Sequence, residues 1–172
     1  MAARCLIFTG EGKGKTTAAL GMLLRAVGHG QRATLIQFLK NDATTGELQP
    51  LRQLGVEVFQ GGEGFVPPPE SPKFAAHRQA AEATLARAKQ AIESGLYAMI
   101  VLDELCGAVA KGLLAEAAVL AVLDRAPTGC VLAITGRDAT PGLIAQADTV
   151  SEILSRKHGY ESGIAAQKGV EF

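Results

Sequence analysis

The sequence predicts an α/β fold of three layers, in which helices cover both faces of a mostly parallel central sheet of about six strands. Short apolar runs alternate with segments of helical periodicity along most of the 172 residues. These runs are almost continuously apolar, which is typical of strands that are buried on both faces of a parallel sheet. No internal repeat or linker divides the chain, so a single domain over residues 1–172 is expected.

The first strand is predicted at residues 5–8, followed by a glycine-rich turn and by a helix that starts near Lys15 and ends at Gly28. The later strands are predicted at residues 33–38, 56–59, 97–102, 130–135 and, from a weaker pattern, 148–153. A long helix begins near Ser71 and Pro72, because serine caps a helix and proline is tolerated in its first turn. Its apolar residues form one stripe at helical spacing, namely Phe74, Ala81, Leu85, Ala88 and Ile92.

His77 lies outside that stripe and is predicted to be a solvated surface residue. Another helix is predicted over residues 113–123. Residues 60–70 form a long loop rich in glycine and proline, and such loops in compact domains are usually functional or disordered. We therefore expect this loop to cover a substrate.

Composition excludes several classes of partner. Seventeen basic and seventeen acidic residues cancel, so the chain has no electrostatic footprint for nucleic acid. The absence of tryptophan and an aromatic content of 5% also argue against platforms for base stacking. The longest nearly apolar runs are far shorter than the ~20 residues that span a bilayer, so no membrane partner is expected. A small charged metabolite is the expected ligand.

The three cysteines indicate a reducing compartment. Cys5, Cys106 and Cys130 are odd in number, widely spaced and set in apolar surroundings, which predicts buried thiols. The first strand follows closely on Met1, which predicts that no signal peptide is present. We therefore expect a cytoplasmic location.

Residues 9–17, T-G-E-G-K-G-K-T-T, have the composition of a phosphate cradle. Their glycines allow successive N–H groups to point at one anion, and the helix that starts near Lys15 directs its positive dipole end to the same place. Lys15 can reach phosphate oxygens without belonging to the core, and the Thr16 hydroxyl suits Mg²⁺. Thr9 stands where the pattern G-x-x-x-x-G-K-[ST] has its first glycine, but the strand–loop–helix context predicts a P-loop (RecA-like) fold.

The residues expected to contact the nucleotide through this loop are Thr9, Gly10, Glu11, Gly12, Lys13, Gly14, Lys15, Thr16 and Thr17. Two of the candidates have open alternatives. Glu11 contacts the nucleoside or is solvated. Arg25, one turn before the end of the first helix, binds the ligand or faces solvent.

Charged residues also follow two later strands. Asp103 and Glu104 come directly after the most apolar strand, and ligands of open α/β sheets gather at the carboxyl ends of strands. One of these carboxylates is expected to take a metal, directly or through water, with helix capping as the alternative. Arg137 follows the fifth strand and is expected to pair with phosphate oxygens unless it simply faces solvent. These features predict a nucleoside triphosphate and Mg²⁺, for either an ATPase-like switch or a transferase.

The C-terminal residues 157–172 resemble the signature of ATP:corrinoid adenosyltransferases, K-H-x(4)-G-x(2)-A-Q-x-G-[IV]-[DE]-aromatic. The loop variant with Thr9 in the first position is also similar to that family. Further similar blocks follow in the family's order: A-V-G-H-G at 26–30, Q-F-L-K at 37–40, V-L-D-E-L at 101–105, I-T-G-R at 134–137 and A-D-T-V-S-E at 147–152. Together the blocks cover nearly the whole chain.

The resemblance implies transfer of the 5′-deoxyadenosyl group of ATP to the cobalt of a reduced corrinoid, with release of triphosphate. It also implies a homodimer, and a separate reductase is the expected electron donor. A P-loop ATPase or regulatory ATP-binding protein, or a corrinoid carrier without turnover, remains the alternative.

The resemblance further implies roles for individual residues. Thr16 and Glu104 are the implied Mg²⁺ ligands, with Asp103 a second candidate. The charge that builds up on the departing triphosphate calls for Lys15 together with Lys13 or Arg137. The terminal phosphate lies in the loop, which presents the ribose 5′-carbon to cobalt. Phe65 matches the first residue of a corrinoid-facing phenylalanine–tryptophan pair, although Pro67 stands in the second position. An ordinary hydrophobic anchor for the loop is the alternative for Phe65.

Overall fold

The computed structural model of this chain describes residues 2–170, in which six parallel strands form one sheet between two layers of helices. The strands run in the order β3-β2-β4-β5-β1-β6, and every neighbouring pair is parallel. Their bounds are Arg4–Thr9 (β1), Ala33–Gln37 (β2), Glu57–Gln60 (β3), Met99–Asp103 (β4), Val131–Thr135 (β5) and Thr149–Glu152 (β6). The predicted α/β class and all of the predicted strands are confirmed.

The helices divide between the two faces of the sheet. They are α1 (Lys15–Gly28), α2 (Leu48–Gln53), α3 (Phe74–Glu93), α4 (Leu105–Ala110), α5 (Glu116–Leu123) and α6 (Pro141–Gln146), and a 3₁₀ turn spans Gly159–Ser162. Consecutive strand residues such as Val101 and Leu102 belong to different core clusters, because side chains alternate across a strand. Leu23 of α1 packs with Val101, whereas Ile92 of α3 packs in the cluster of Leu102. Both faces are therefore covered, which explains the nearly continuous apolar strands.

Two predictions about helices need correction. The helix expected at 113–123 begins at Glu116, and the separate helix α4 precedes it. His77 was expected in solvent, but it is 9% exposed and lies on the buried face of α3. It stands three residues after Phe74 and four before Ala81, so it belongs to the same helical stripe as the apolar residues.

All six strands end at the same edge of the sheet because they are parallel. The segments that follow β1, β2, β4 and β5 therefore meet there. Within residues 2–170, no helix combines the length and the apolar composition needed to cross a membrane.

Candidate active site

A cavity of about 590 Å³ opens at this carboxyl edge. It is lined by residues from the P-loop, from the start of α1 and from the segments after β2, β4 and β5: Lys13, Gly14, Lys15, Thr16, Thr17, Leu20, Lys40, Gly46, Glu47, Glu104, Arg137, Gly169 and Val170. The lining includes four cationic side chains, so the cavity suits a polyanion. We call it the phosphate cavity.

The P-loop is held against the segment that follows β6. The Gly12 N–H donates to the Ile153 carbonyl at 2.7 Å, and the Ile153 N–H donates to the Thr9 carbonyl at 2.8 Å. Gly10 has φ 95°, and a Cβ there would lie 2.6 Å from the Ile153 oxygen. Glycine is required at this position both by the left-handed backbone and by the close approach. Gly10, which follows the position where the P-loop pattern has its first glycine, therefore shapes the contact between the loop and the segment after β6.

Lys15 is buried within the loop that it was expected to serve. Its ammonium donates to the carbonyls of Gly10 at 2.7 Å and Gly12 at 2.8 Å, and the residue is 8% exposed. Burial lowers the pKa of Lys15, and Arg137 lowers it further, whereas Glu104 and Glu11 oppose the shift. Lys15 belongs to neither hydrophobic core cluster, as expected, but these carbonyls hold its side chain along the loop.

Asp103 is the centre of a buried hydrogen-bond network. Its Oδ1 accepts from the Thr16 hydroxyl at 2.8 Å and from the Thr135 hydroxyl at 2.7 Å. Its Oδ2 accepts from the Gln37 amide at 3.0 Å, and the whole residue is 0% exposed. The carboxylate thus joins the ends of β2, β4 and β5 to the first turn of α1.

Lys40 provides a cation beside this buried carboxylate. Its Nζ lies 3.3 Å from Asp103 Oδ2 and 3.5 Å from Glu47 Oε1. Burial would lower the pKa of Lys40, but Asp103 and Glu47 outweigh it and raise the pKa above its usual value. Sequence reasoning assigned no role to Lys40, Glu47 or Gln37. The available signal in the sequence was that Gln37 ends the second strand and Lys40 follows it, at the same edge as Asp103.

Glu104 occupies a left-handed backbone conformation, with φ 62°, directly after β4. Its N–H donates to the Thr135 hydroxyl at 2.9 Å, and its carboxylate faces the phosphate cavity. Burial and then the charge of Asp103 raise the pKa of Glu104, against the opposing effect of Lys15, Lys40 and Arg137. Such strained positions for a non-glycine residue are typical of functional sites.

Cys106 lies two residues beyond Glu104 and is 0% exposed. Burial, with a smaller contribution from Glu104, raises the pKa of this thiol to about 12. Cys5 and Cys130 are also buried. The prediction of buried thiols is therefore confirmed for all three cysteines.

The donor set suits a magnesium ion that completes its shell with phosphate and water. Within residues 2–170, no three His, Cys, Asp or Glu side chains are grouped so as to hold a metal. Mg²⁺ usually takes one or two protein oxygens and fills its shell with phosphate oxygens and waters. The Thr16 hydroxyl and the Glu104 carboxylate offer such oxygens among the cavity-lining residues, whereas Asp103 is buried behind them and accepts the Thr16 hydroxyl.

Other predicted residues occupy the rim of the cavity. Arg137 Nη1 lies 3.1 Å from Glu11 Oε2, and both side chains are 60% exposed. Lys13 donates to the Val170 carbonyl at 2.7 Å, which places the C-terminal segment beside the loop. The structure therefore brings Arg137 and Lys13 to the site, whereas Glu11 contacts Arg137 at the rim.

Arg25 and Thr9 are among the predicted residues that do not line the phosphate cavity, and Gly10 and Gly12 are likewise absent from its walls. Arg25 is exposed in the last turn of α1, about 15 Å along the helix axis from Lys15 at the usual rise per residue. The Thr9 hydroxyl accepts a hydrogen bond from the Ala139 N–H at 3.3 Å, and Thr9 is 8% exposed. Thr9 thus connects β1 to the segment that follows β5, and its carbonyl supports the loop.

Phe65 lies on the loop between β3 and α3 and is 93% exposed. It lines a second cavity of about 350 Å³, which we call the Phe65 cavity. Its other lining residues are Leu39, Lys40, Asn41, Asp42, Gly64, Val66, Glu104 and Lys111. Lys40 and Glu104 thus belong to the walls of both cavities.

Comparison with known proteins identifies the family. A family model described as ATP:corrinoid adenosyltransferase BtuR/CobO/CobP matches residues 2–172. The chain belongs to the ATP:corrinoid adenosyltransferase family. A corrinoid adenosyltransferase of Pseudomonas aeruginosa is 41% identical over 169 residues, which cover 97% of this chain and 82% of the relative. Corrinoid adenosyltransferase CobA of Salmonella typhimurium is 38% identical over 167 residues, covering 97% of this chain and 84% of the relative.

The C-terminal segment that resembles the adenosyltransferase signature lies beside the P-loop. Part of it lines a third cavity of about 620 Å³, which also contains Lys13 and extends to Val170. The last two residues of that pattern, Glu171 and Phe172, lie outside the described residues. The segment is therefore placed next to the P-loop.

Proposed function

We propose that this chain transfers the 5′-deoxyadenosyl group of ATP to the cobalt(I) of a reduced corrinoid and releases inorganic triphosphate. Membership of the family and relatives named corrinoid adenosyltransferases support this reaction. The observation that carries the proposal is the pair of adjoining cavities. One is lined by the P-loop and the other by Phe65, so a nucleotide and a second substrate can meet at their shared wall.

The reaction needs little covalent help from the protein. Cobalt(I) donates an electron pair to the ribose 5′-carbon and becomes formally cobalt(III). The bond from that carbon to the phosphate oxygen breaks, and its electron pair leaves on the triphosphate. No general base is required, so the site must stabilise charge on the leaving group and align the two substrates.

The P-loop residues take the phosphates in this proposal. The N–H groups of residues 14–16 face the terminal phosphate, and Lys15 exchanges its contacts with Gly10 and Gly12 for phosphate oxygens. Arg137 leaves Glu11 to pair with a phosphate, as an exposed ion pair permits at small cost. Both cations then offset the charge that develops as triphosphate departs.

Thr16 and Glu104 are the proposed direct ligands of Mg²⁺. Asp103 already accepts three side-chain hydrogen bonds, so its role is to orient Thr16 and to hold the strand ends together. When bound, Mg²⁺ supplies charge neutralisation on the phosphate oxygens. A Glu104→Gln variant should need a higher Mg²⁺ concentration for half-maximal activity, whereas an unchanged requirement would remove Glu104 from the ligand set.

Phe65 and the loop around it are proposed to face the corrinoid. The exposed aromatic ring stands on the side of the shared wall away from the P-loop.

We further propose that residues 1–172 form one domain and that two copies form a homodimer. We also propose that a separate reductase supplies electrons and that the enzyme is cytoplasmic. The buried thiols of Cys5, Cys106 and Cys130 support a reducing compartment.

The products of one reaction test the proposal. The chain is incubated with Mg-ATP and chemically reduced cobalamin, and the phosphate product is identified by ³¹P NMR. Triphosphate together with a light-sensitive cobalt–carbon absorption spectrum is the expected result. ADP with inorganic phosphate, and an unchanged corrinoid spectrum, would instead indicate an ATPase.

A further inference from the structure

Lys40 lies where the phosphate cavity and the Phe65 cavity meet. Besides Lys40, the shared wall contains Glu104, which is an anion when it is ionised. The other cations of the phosphate cavity do not line the Phe65 cavity: Lys15 is folded along the loop, Arg137 is at the rim beside Glu11, and Lys13 donates to the Val170 carbonyl. Among residues 2–170, Lys40 is therefore the cation that borders both substrate spaces.

The position of Lys40 matters because of the proposed direction of the nucleotide. With the terminal phosphate in the P-loop, the chain of phosphates extends away from Lys15 and towards the Phe65 cavity. The ribose 5′-carbon must reach the shared wall in order to meet cobalt. The oxygen that breaks from this carbon then lies at the same wall, beside Lys40.

The side chain of Lys40 is fixed in place by two carboxylates. Its Nζ is 3.3 Å from Asp103 Oδ2 and 3.5 Å from Glu47 Oε1, and the side chain is 32% exposed. An ammonium has three donors, and these two carboxylates account for two of them. The third can be offered to a ligand oxygen without rebuilding the network.

We propose that Lys40 is a catalytic residue that contacts the phosphate oxygen leaving the ribose 5′-carbon. This role rests on the proposed adenosyl transfer. In ATP that oxygen is an ester oxygen, and it gains a negative charge when the carbon–oxygen bond breaks and the electron pair stays with it. A fixed cation at this point stabilises the transition state and the triphosphate product more than it stabilises bound ATP.

A purely structural role makes different predictions. Lys40 would then serve as the counter-ion of buried Asp103, and its removal would lower stability without a separate effect on the rate. Lys40→Gln is a suitable variant because glutamine can still donate to Asp103 while the charge is lost. Lys40→Arg keeps the charge, and Lys89→Gln on α3 is the matched control outside the cavities.

The full chain is tested in two assays, with thermal melting to confirm that each variant is folded. In single turnover with saturating Mg-ATP and chemically reduced cobalamin, Lys40→Gln should form the cobalt–carbon bond about 10²–10³ times more slowly than the wild type. In calorimetry without corrinoid, it should bind inorganic triphosphate about tenfold more weakly, and ATP within about threefold of the wild type. Lys40→Arg should recover much of the rate, and Lys89→Gln should match the wild type.

A folded Lys40→Gln variant with the wild-type rate would overturn the role of Lys40, as would equal losses of affinity for ATP and triphosphate. A wild-type chain that forms no cobalt–carbon bond would instead overturn the proposed function.

If Lys40→Gln does not fold, labelling of the wild-type chain decides. Inorganic triphosphate should slow acetylation of Lys40 about fivefold relative to Lys89 if the ammonium binds a phosphate oxygen. Equal slowing of both lysines would overturn the proposal.

Discussion

The two adjoining cavities are built in opposite ways. The phosphate cavity rests on Asp103, which is 0% exposed and accepts hydrogen bonds from three other segments. The Phe65 cavity is bordered by a loop whose aromatic residue is 93% exposed. One substrate space is thus shaped by a buried network before any ligand arrives, whereas the other is bordered by an aromatic side chain that stands in solvent. Such preorganisation suits the substrate whose phosphates must be held in line during transfer.

The loop that carries Phe65 is nevertheless anchored at its base. The Gly64 N–H donates to the Leu39 carbonyl at 2.9 Å, and a Cβ at Gly62 would lie 2.1 Å from the Leu39 carbonyl carbon. Glycine is required at Gly62 because the two backbones touch. The exposed part of the loop is therefore its tip around Phe65. Substitutions in one cavity at a time can test how the two cavities differ.

The largest expected effect belongs to Lys15 on the phosphate side. Lys15→Ala should lower the transfer rate about 10²–10³-fold, because a cation for the departing triphosphate is lost. The carbonyls of Gly10 and Gly12 also lose their donor, which should reduce the free energy of unfolding by about 1–3 kcal/mol. Single-turnover kinetics and urea denaturation measure the two effects. A folded variant with full rate would show that the P-loop does not bind the leaving group.

Asp103 should give the next largest effect, and it acts on stability. Asp103→Asn removes the negative partner of Lys40 and places an amide donor where two hydroxyls and another amide already donate. We expect a loss of about 2–4 kcal/mol in the free energy of unfolding, measured by urea denaturation. Glu82→Gln on the exposed side of α3 is the control and should stay within about 0.5 kcal/mol. Similar values for both variants would mean that the phosphate side is not preorganised by Asp103.

Phe65 should give a smaller effect that is confined to the corrinoid. Phe65→Ala should raise the KM for reduced cobalamin about tenfold, since the ring would be buried against that substrate. The affinity for ATP should be unchanged, and the free energy of unfolding should stay within about 0.5 kcal/mol because the ring is so exposed. Leu96→Ala, an exposed residue ahead of β4, is the matched control. A rise in the KM for ATP instead would contradict the separation of the cavities.

The smallest expected effect concerns the stability of the metal-free protein as a function of pH. Burial, and then Asp103, raise the pKa of Glu104 above its usual value of 4.5, so folding favours the neutral acid. This contribution to stability is fully present below about pH 4.5 and is lost as the pH rises through the raised pKa. Glu104→Gln should therefore melt a little higher than the wild type at pH 7 and no higher at pH 4. A lower melting temperature at pH 7 would show that the ionised carboxylate is stabilised by its neighbours.

Features that depend on local sequence could be predicted well. The strands, the P-loop and the start of α1 at Lys15 follow from runs of apolar residues, glycines and helix signals over a few positions. Asp103, Glu104 and Arg137 were placed at one edge because parallel strands share their carboxyl ends. These predictions needed no knowledge of the strand order.

Features that depend on the strand order could not be predicted. Gln37 reaches Asp103 because β2 lies beside β4, with Gln37 directly opposite Asp103 in the register. Lys40 pairs with Asp103 for the same reason, and neither contact has a signature within the sequence near it. The prediction for His77 is wrong because the stripe was drawn through apolar residues alone, although His77 has helical spacing to Phe74 and Ala81. The position of Arg25 follows from the length of α1, which carries it away from the loop.

The thiol of Cys106 has a chemical consequence for an enzyme that activates an alkyl carbon. An ATP whose 5′-carbon is ready for displacement is an alkylating agent, and a nearby thiolate would compete with cobalt for it. With a pKa of about 12, the Cys106 sulfur carries a proton at neutral pH and is a poor nucleophile. It is also 0% exposed. Burial and the raised pKa thus make Cys106 a poor competitor for such a carbon, and its side chain lines neither substrate cavity.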